Sequence, residues 1–393
     1  MRVLMLSHGY PPILSGVTLV VQKLARAMVE KGHPVTVVAA SDRGEPYREE
    51  DEGVQLVRVR ATTNPWWEEG PIPWVTLKDL QSVIDTFPPD ILHCHEAGPL
   101  SWQLLRVKKE ARFPLLATCY YVPRFIARYL TWNDEPHNVI ESLFWYYSTW
   151  LFNQFERVVF ATAAHEQTYR HKGLEVPTTI ISNGLDLSRY RPSNGSVEEV
   201  EARYRLPAGR RILFVSRLAK DKEIDVLIRL MPRVCAMHDA HLLLVGRGDD
   251  RERLEQLTEE MELQACVHFL GFVPEEDLPA LYRASDLFAI ASTCEVQSLP
   301  TLQATATGMP VVAANAMALP ELVHDGVNGF LVPPDEPETM AAAILKILGD
   351  PNLAAQMGRA SLEIAQHHSE LLTFDRYEEL YQRMIDNQQS ISA

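Results

Sequence analysis

The chain has 393 residues, 46% of them hydrophobic, and a formal net charge of −15, enough for two domains of ordinary size and too rich in apolar residues for disorder. Residues 1–191 hold 20 basic and 21 acidic side chains and the remainder 17 and 31. That balance excludes nucleic acid as a natural partner, because phosphate backbones are met by basic stripes. Five scattered cysteines with no CxxC pair fit reduced thiols in a cytoplasmic protein. The apolar run at Met1–Leu6 is too short for a signal peptide, and no run reaches the ~20 apolar residues of a bilayer span.

In chain order, Val3–Ser7 reads as a first strand, Gly9–Gly16 as a Gly/Pro loop, and Val17–Lys31 as an amphipathic helix stopped by Gly32. Strands are predicted at Pro34–Ala39 and Val54–Arg60, before a Pro/Trp-rich loop at Asn64–Pro73. Short buried strands follow at Asp90–His93, Leu115–Thr118, Arg157–Ala161 and Thr178–Ile181, with helical patterns between most of them. A composition shift at Arg191–Ser196 marks a linker. The alternation then restarts with strands at Arg211–Ser216, His241–Val245, Val267–Leu270, Leu287–Ala291 and Pro310–Ala313. Helices are predicted at Glu223–Met237, Arg251–Met261, Leu278–Ala284, and from near Leu299 to Gly308. A last helix, Leu372–Asp386, offers Leu372, Tyr377, Leu380, Tyr381 and Met384 for burial, beyond the second sheet pattern.

This alternation implies an α/β chain of two doubly wound, Rossmann-like domains facing a cleft. They are residues 1–191 and 192–371, with 372–393 returning as a helix toward the first.

Several segments carry chemistry. Glu295-Val-Gln-Ser-Leu-Pro-Thr-Leu-Gln303 places one carboxylate on a loop between an apolar strand and a helix N-terminus. Amides at such a terminus attract anions, whereas the carboxylate suits hydroxyls, so the pair fits a nucleotide sugar. A solvated loop carboxylate is the alternative for Glu295. Arg217 and Lys222 flank a strand-to-helix turn, where they either clamp a diphosphate or stand as surface cations beside Asp221 and Glu223. Gly246-Arg-Gly248 lacks the third glycine of a dinucleotide fingerprint. Gly16 is either a site of close approach to an anion or a turn glycine. His93-Cys94-His95 puts two imidazoles on one strand face, a packing arrangement rather than a metal pair, since no further ligands have metal spacing.

Taken in order, the Gly16 loop, Ser182–Asp186 with Arg189–Pro192, Ser216-Arg-Leu with Lys222, Phe269–Phe272, Glu295 through Pro310, and Glu321–Phe330 resemble the retaining glycosyltransferases of family 4, of GT-B fold. The resemblance implies that Arg217 and Lys222 neutralise the donor diphosphate and that Glu295 addresses the transferred sugar. Val296, Gln297, Ser298 and Leu299 would supply backbone contacts to sugar and phosphate. Phe272 and Val273 fall where the base is held, Gly246 and Gly16 beside the donor, and Gln303 near the ribose. His95, Tyr120 and Arg124 would lie on the acceptor side. Neither cofactor nor metal is implied. Three positions depart from the family pattern: Gln303 for a second Glu, Tyr120 for a His, and Glu223 for a Gly.

The acceptor reading rests on the aromatic and basic stretches Tyr120–Trp132 and Phe144–Phe152, with Arg106, Lys108, Lys109 and Arg112. Such residues suit a membrane interface, or else they build the domain core. With the resemblance to glycolipid-forming members, the expectation is a hexosyltransferase using a UDP-sugar and a membrane lipid such as diacylglycerol. It would be peripheral on the inner face of the cell membrane through its N-terminal domain. The same chemistry on a soluble sugar phosphate or cyclitol, and a weakened nucleotide-sugar-binding protein, are the competing readings.

Overall fold

A computed structural model describes residues 1–13, 15–63, 70–108, 113–123, 137–191 and 196–392. It contains two compact units, Met1–Asn183 with Thr373–Ala393, and Gly184–Leu372. The first division lies ahead of the expected boundary at 191/192. Leu185 and Tyr190 explain this, because both are buried in the second unit's core with Ile212 and Leu213. Of the expected linker, residues 192–195 lie outside the described residues, as do 64–69 of the Pro/Trp-rich loop.

Beside a short antiparallel pair, Ala61–Thr62 with Ile72–Pro73, the first unit's main-sheet strands are β1 (Val3–Leu6), β2 (Val35–Ala40), β3 (Tyr47–Asp51), β4 (Val54–Val59), β5 (Ile91–Cys94), β6 (Leu115–Cys119), β7 (Arg157–Phe160) and β8 (Thr178–Ile180). Among the described residues they form one sheet ordered β8-β7-β6-β5-β1-β2-β4-β3. Every residue of β1, β2 and β5 is buried, as expected for parallel strands covered on both faces. β3 is the one antiparallel member, and its charged sequence gave no strand signal. Its hairpin turns at Glu52 (φ 49) and Gly53 (φ 85), two successive left-handed residues as a type I′ turn requires. Charge on such an edge strand discourages pairing with other chains.

The C-terminal helix, Glu370–Ser392, packs on the first unit. Tyr377, Leu380, Tyr381 and Met384 are buried with Val3, Met5, Val37 and Leu116, each burial contributing about 1.5–3 kcal/mol. Leu372 is only half-buried, and Phe374 and Ile385 join the core instead. The helix also completes a polar network. His93 Nδ1 lies 2.6 Å from Tyr381 Oη, its Nε2 lies 2.7 Å from Thr118 Oγ1, and Thr118 in turn meets Tyr377 Oη at 3.1 Å.

The second unit holds β9 (Arg210–Val215), β10 (Ala240–Val245), β11 (Val267–Gly271), β12 (Leu287–Ile290), β13 (Val311–Ala314) and β14 (Gly329–Val332). They run parallel in the order β11-β10-β9-β12-β13-β14, the doubly wound order whose direction reverses between β9 and β12. Helices at Val197–Tyr204, Pro337–Leu348 and Pro351–Gln366, and strand β14, add to the elements expected from sequence.

Replacing Tyr381 with Phe leaves one buried nitrogen of His93 unpaired. The expected cost is about 1–3 kcal/mol, read as a lower urea midpoint at unchanged m-value.

Candidate functional site

Ligands of doubly wound sheets collect at the carboxyl ends of the strands, where the order reverses. In the second unit β9 runs out there into Ser216–Glu223, with a 3₁₀ turn at Lys220–Lys222, and β12 runs out into 291–298. Lys222 Nζ stands 2.8 Å from Glu295 Oε1 and 3.4 Å from Asp221 Oδ2. Lys222 is 9% exposed, Glu295 9% and Asp221 4%, so Glu295 is not a solvated loop carboxylate and Lys222 is not a surface cation. Burial disfavours the charge on Lys222, but the carboxylates of Glu295 and Asp221 outweigh it and hold the pKa above the ordinary value. Arg217 does keep a surface character: its side chain is 47% exposed, with the guanidinium 3.5 Å from Asp221 Oδ1.

Two further bonds fasten these loops. Ser292 Oγ donates to the Asp221 carbonyl at 3.2 Å, and Thr293 Oγ1 donates to the Glu223 carboxylate.

The loop after β10 joins the same rim. A Cβ on Gly246 (φ 135) would sit 1.8 Å from the Ser216 carbonyl oxygen, and one on Gly248 2.1 Å from that of Leu218. Both glycines therefore permit close backbone approach. Leu218 N donates to Arg247 O at 2.8 Å, and Gly246 N to Gly271 O at 2.8 Å. Beyond Gly271, the Phe272 ring is 60% exposed, with the Arg247 guanidinium 5.4 Å from its centroid. Val273, expected beside the base, is buried in the core. Its side chain serves packing, which leaves Phe272 as the accessible surface.

Ser298 caps helix Leu299–Ala306, accepting from Thr301 N at 3.3 Å and from Thr301 Oγ1 at 2.8 Å. Gln297 is buried, while Val296 and Leu299 are half-buried. Gln303 accepts the Tyr282 hydroxyl at 2.9 Å, so its amide oxygen is already engaged within the protein. Sequence reasoning missed Tyr282, which no local pattern connects to Gln303.

The other expected residues belong to the first unit. Gly16 opens helix Gly16–Glu30 behind a Ser15/Thr18 capping box. A Cβ there would meet nothing within 4 Å, so packing alone does not demand glycine. His95 is 2% exposed with its ring 3.8 Å from that of His93. Burial lowers its pKa to about 3, which makes it a neutral imidazole, and Tyr120 Oη lies 3.4 Å from its Nδ1. Arg124, together with Lys109, Arg112 and Arg128, lies outside the described residues. Cys94 turns to Ser101 Oγ at 3.2 Å. Among the described residues, no three His, Cys, Asp or Glu are grouped to hold a metal ion.

One buried acid at the carboxyl end of β5 escaped the sequence reading. Glu96 Oε1 accepts from Ser101 N at 2.7 Å, at the start of helix Pro99–Val107. Burial pushes its pKa up to about 7, against the hydrogen bonds from Ser101, Gly98 and Leu100 that favour the ionised form. The signal was present in Glu96-Ala-Gly-Pro99, an acid just before a proline-initiated helix.

Residues 14–189 match the model of Glycosyltransferase Family 4, and residues 198–363 that of Glycosyl transferases group 1. The chain belongs to the family-4 glycosyltransferases of GT-B fold. It is 27% identical to an uncharacterized glycosyltransferase of Methanocaldococcus jannaschii, over 89% of this chain and 90% of that protein. A D-inositol 3-phosphate glycosyltransferase of Salinispora tropica is 31% identical over 73% of this chain and 61% of its own length, so the chain spans under two thirds of that relative. The Anabaena protein HepE, solved in complex with UDP, superposes with a TM-score of 0.78 at 22% identity, covering 98% of this chain and 100% of HepE. That likeness is one of fold.

The family-4 chain should show its Glu96 in folding equilibria. With a folded pKa of about 7 against the ordinary glutamate value of 4.5, the folded state binds more protons between those values. Stability from this group is therefore full below pH 4.5 and lost as pH rises through about 7. Glu96→Gln removes that dependence. Urea melts at pH 5 and pH 8 should show the variant gaining on the wild type at the higher pH by on the order of 3 kcal/mol.

Proposed function

We propose that the protein is a retaining hexosyltransferase that takes a sugar from a nucleoside diphosphate, UDP in the favoured case, and transfers it to a membrane lipid such as diacylglycerol or a glycolipid. The observation that carries the donor reading is the buried Lys222–Glu295 pair, with Arg217 on the rim, where β9 and β12 end. Lys222 keeps its proton because two carboxylates face it, so it arrives charged at a diphosphate. Arg217, half-exposed, would close on the second phosphate from the solvent side. Together they stabilise the charge that develops on the leaving diphosphate. Glu295 would accept hydrogen bonds from sugar hydroxyls, with the amides of Val296 to Leu299 alongside. Phe272 offers its exposed face to the base. The anomeric bond to the diphosphate breaks as the acceptor oxygen bonds on the same sugar face, and the acceptor proton passes to the leaving phosphate. No resident metal is invoked in this scheme.

The lipid half of the reading is supported by one face of helix His137–Phe152. Val139, Leu143, Tyr146 and Trp150 are 65%, 63%, 75% and 46% exposed, and their spacing sets them in a single stripe. Trp102, 52% exposed, bonds to Tyr147 from the neighbouring helix. Exposed aromatic and aliphatic side chains in a stripe suit the bilayer interface, and this face would hold the protein peripherally at the membrane. Among the described residues no helix is long and apolar enough to cross one. A soluble acceptor is the second reading, favoured by the relative named for D-inositol 3-phosphate.

A donor screen by NMR, with and without liposomes containing diacylglycerol, follows release of nucleoside diphosphate. Liposome-dependent release from a UDP-sugar, reduced about 100-fold or more by Lys222→Ala, is the expected result. Release only with inositol phosphate moves the assignment to a soluble acceptor. No binding of any nucleotide sugar contradicts the donor reading.

A further inference from the structure

Glu223 follows Lys222 directly and has φ 50 and ψ 40, the left-handed region that glycine enters freely and other residues rarely. This is the position where family resemblance calls for glycine. Strain of that kind persists when surrounding structure holds it, and it gathers at functional sites. Here the holding group is visible. Glu223 is the first residue before helix Ile224–Cys235, yet its carboxylate makes no capping bond to that helix. It accepts instead from Thr293 Oγ1.

The placement gives that bond its consequence. Glu223 N closes the 3₁₀ turn on Lys220 O at 3.3 Å, and Glu223 O receives Val226 N at 3.2 Å as the helix begins. The backbone of Glu223 thus sets the exit direction of the turn that carries Lys222. Thr293 belongs to the loop after β12, just ahead of Glu295. One side-chain bond therefore fastens the loop of the cation to the loop of its carboxylate partner, beside the Ser292–Asp221 bond. A glycine would adopt the backbone conformation more readily, but could not make the fastening.

We propose that Glu223 is a positioning residue for the donor site, bracing the Lys222 loop against the Glu295 loop through Thr293. The proposal rests on the reading that Lys222 and Glu295 meet the donor diphosphate. The role belongs to the hydrogen bond rather than to the charge, because a carboxylate beside an anion site opposes the anion. A preformed site loses less ordering entropy on binding, so release of the brace should appear in affinity before it appears in fold.

The test measures UDP affinity by calorimetry, melting temperature, and hydrogen exchange of residues 216–223 and 292–298, in the full chain and three variants. Glu223→Gln keeps an acceptor for Thr293 and should bind UDP at least as tightly as the wild type. Glu223→Gly relieves the backbone, so its melting temperature should equal or exceed the wild type's. Its UDP affinity should nonetheless fall about tenfold, with faster exchange in both loops. Thr293→Val should show the same loss of affinity. Wild-type affinity and exchange in Glu223→Gly and Thr293→Val would overturn the brace, as would an equal loss in Glu223→Gln. A wild type that binds no nucleoside diphosphate sinks the donor reading instead, and the exchange comparison then decides the brace alone.

Discussion

The candidate site of the second unit depends on a buried ion pair at the one place in its sheet where the strand order reverses. Lys222 and Glu295 are each 9% exposed and 2.8 Å apart. Desolvation of two charges offsets most of their attraction, so such a pair adds little net stability over apolar packing. Fold stability is thus a poor reason for its presence. Its neighbours are arranged as if to hold it: Asp221 on the lysine, Ser292 on the Asp221 backbone, and Thr293 on Glu223. The glycines at 246 and 248 bring the next strand-end loop into backbone contact with Ser216 and Leu218, so that three loops form one continuous polar rim. An anion arriving there meets a lysine already charged and already placed.

The first unit is organised by a different device. A neutral, fully buried His93 joins Thr118 on β6 to Tyr381 on the C-terminal helix. Segments far apart in sequence are thereby tied through one imidazole. Burial lowers the pKa of both His93 and His95, and each lowering has the same cause, removal from water. Glu96 sits at the end of the same strand with its charge disfavoured as well. The strand end therefore holds two neutral imidazoles and a carboxyl poised to titrate near neutral pH, unlike the paired charges of the second unit.

The parallel architecture was legible because central strands buried on both faces read as short apolar runs bounded by turns. The return of the last helix was legible from Tyr377, Leu380, Tyr381 and Met384, whose spacing makes one face. Strand β3 was not, since Tyr47-Arg-Glu-Glu-Asp51 is an edge strand stabilised by pairing and a turn rather than by burial. At the site, the residue types were legible and their partners were not. Lys222 and Glu295 are 73 positions apart, and only the sheet order makes them neighbours. Val273 reads as a ligand contact while its side chain packs in the core, and its apolar character is equally at home in either place. The left-handed backbone of Glu223 left only an indirect trace, the glycine of the family pattern at that position, since the glutamate itself does not announce it.

The measurement closest to the central claim is hydrogen exchange of the whole chain with and without saturating UDP. The account predicts slowed exchange in residues 216–223, 246–250, 269–273 and 292–303, the segments at and beyond the carboxyl ends of β9, β10, β11 and β12. Binding with protection confined to other segments, or no protection at all, would contradict a donor site built on Lys222 and Glu295.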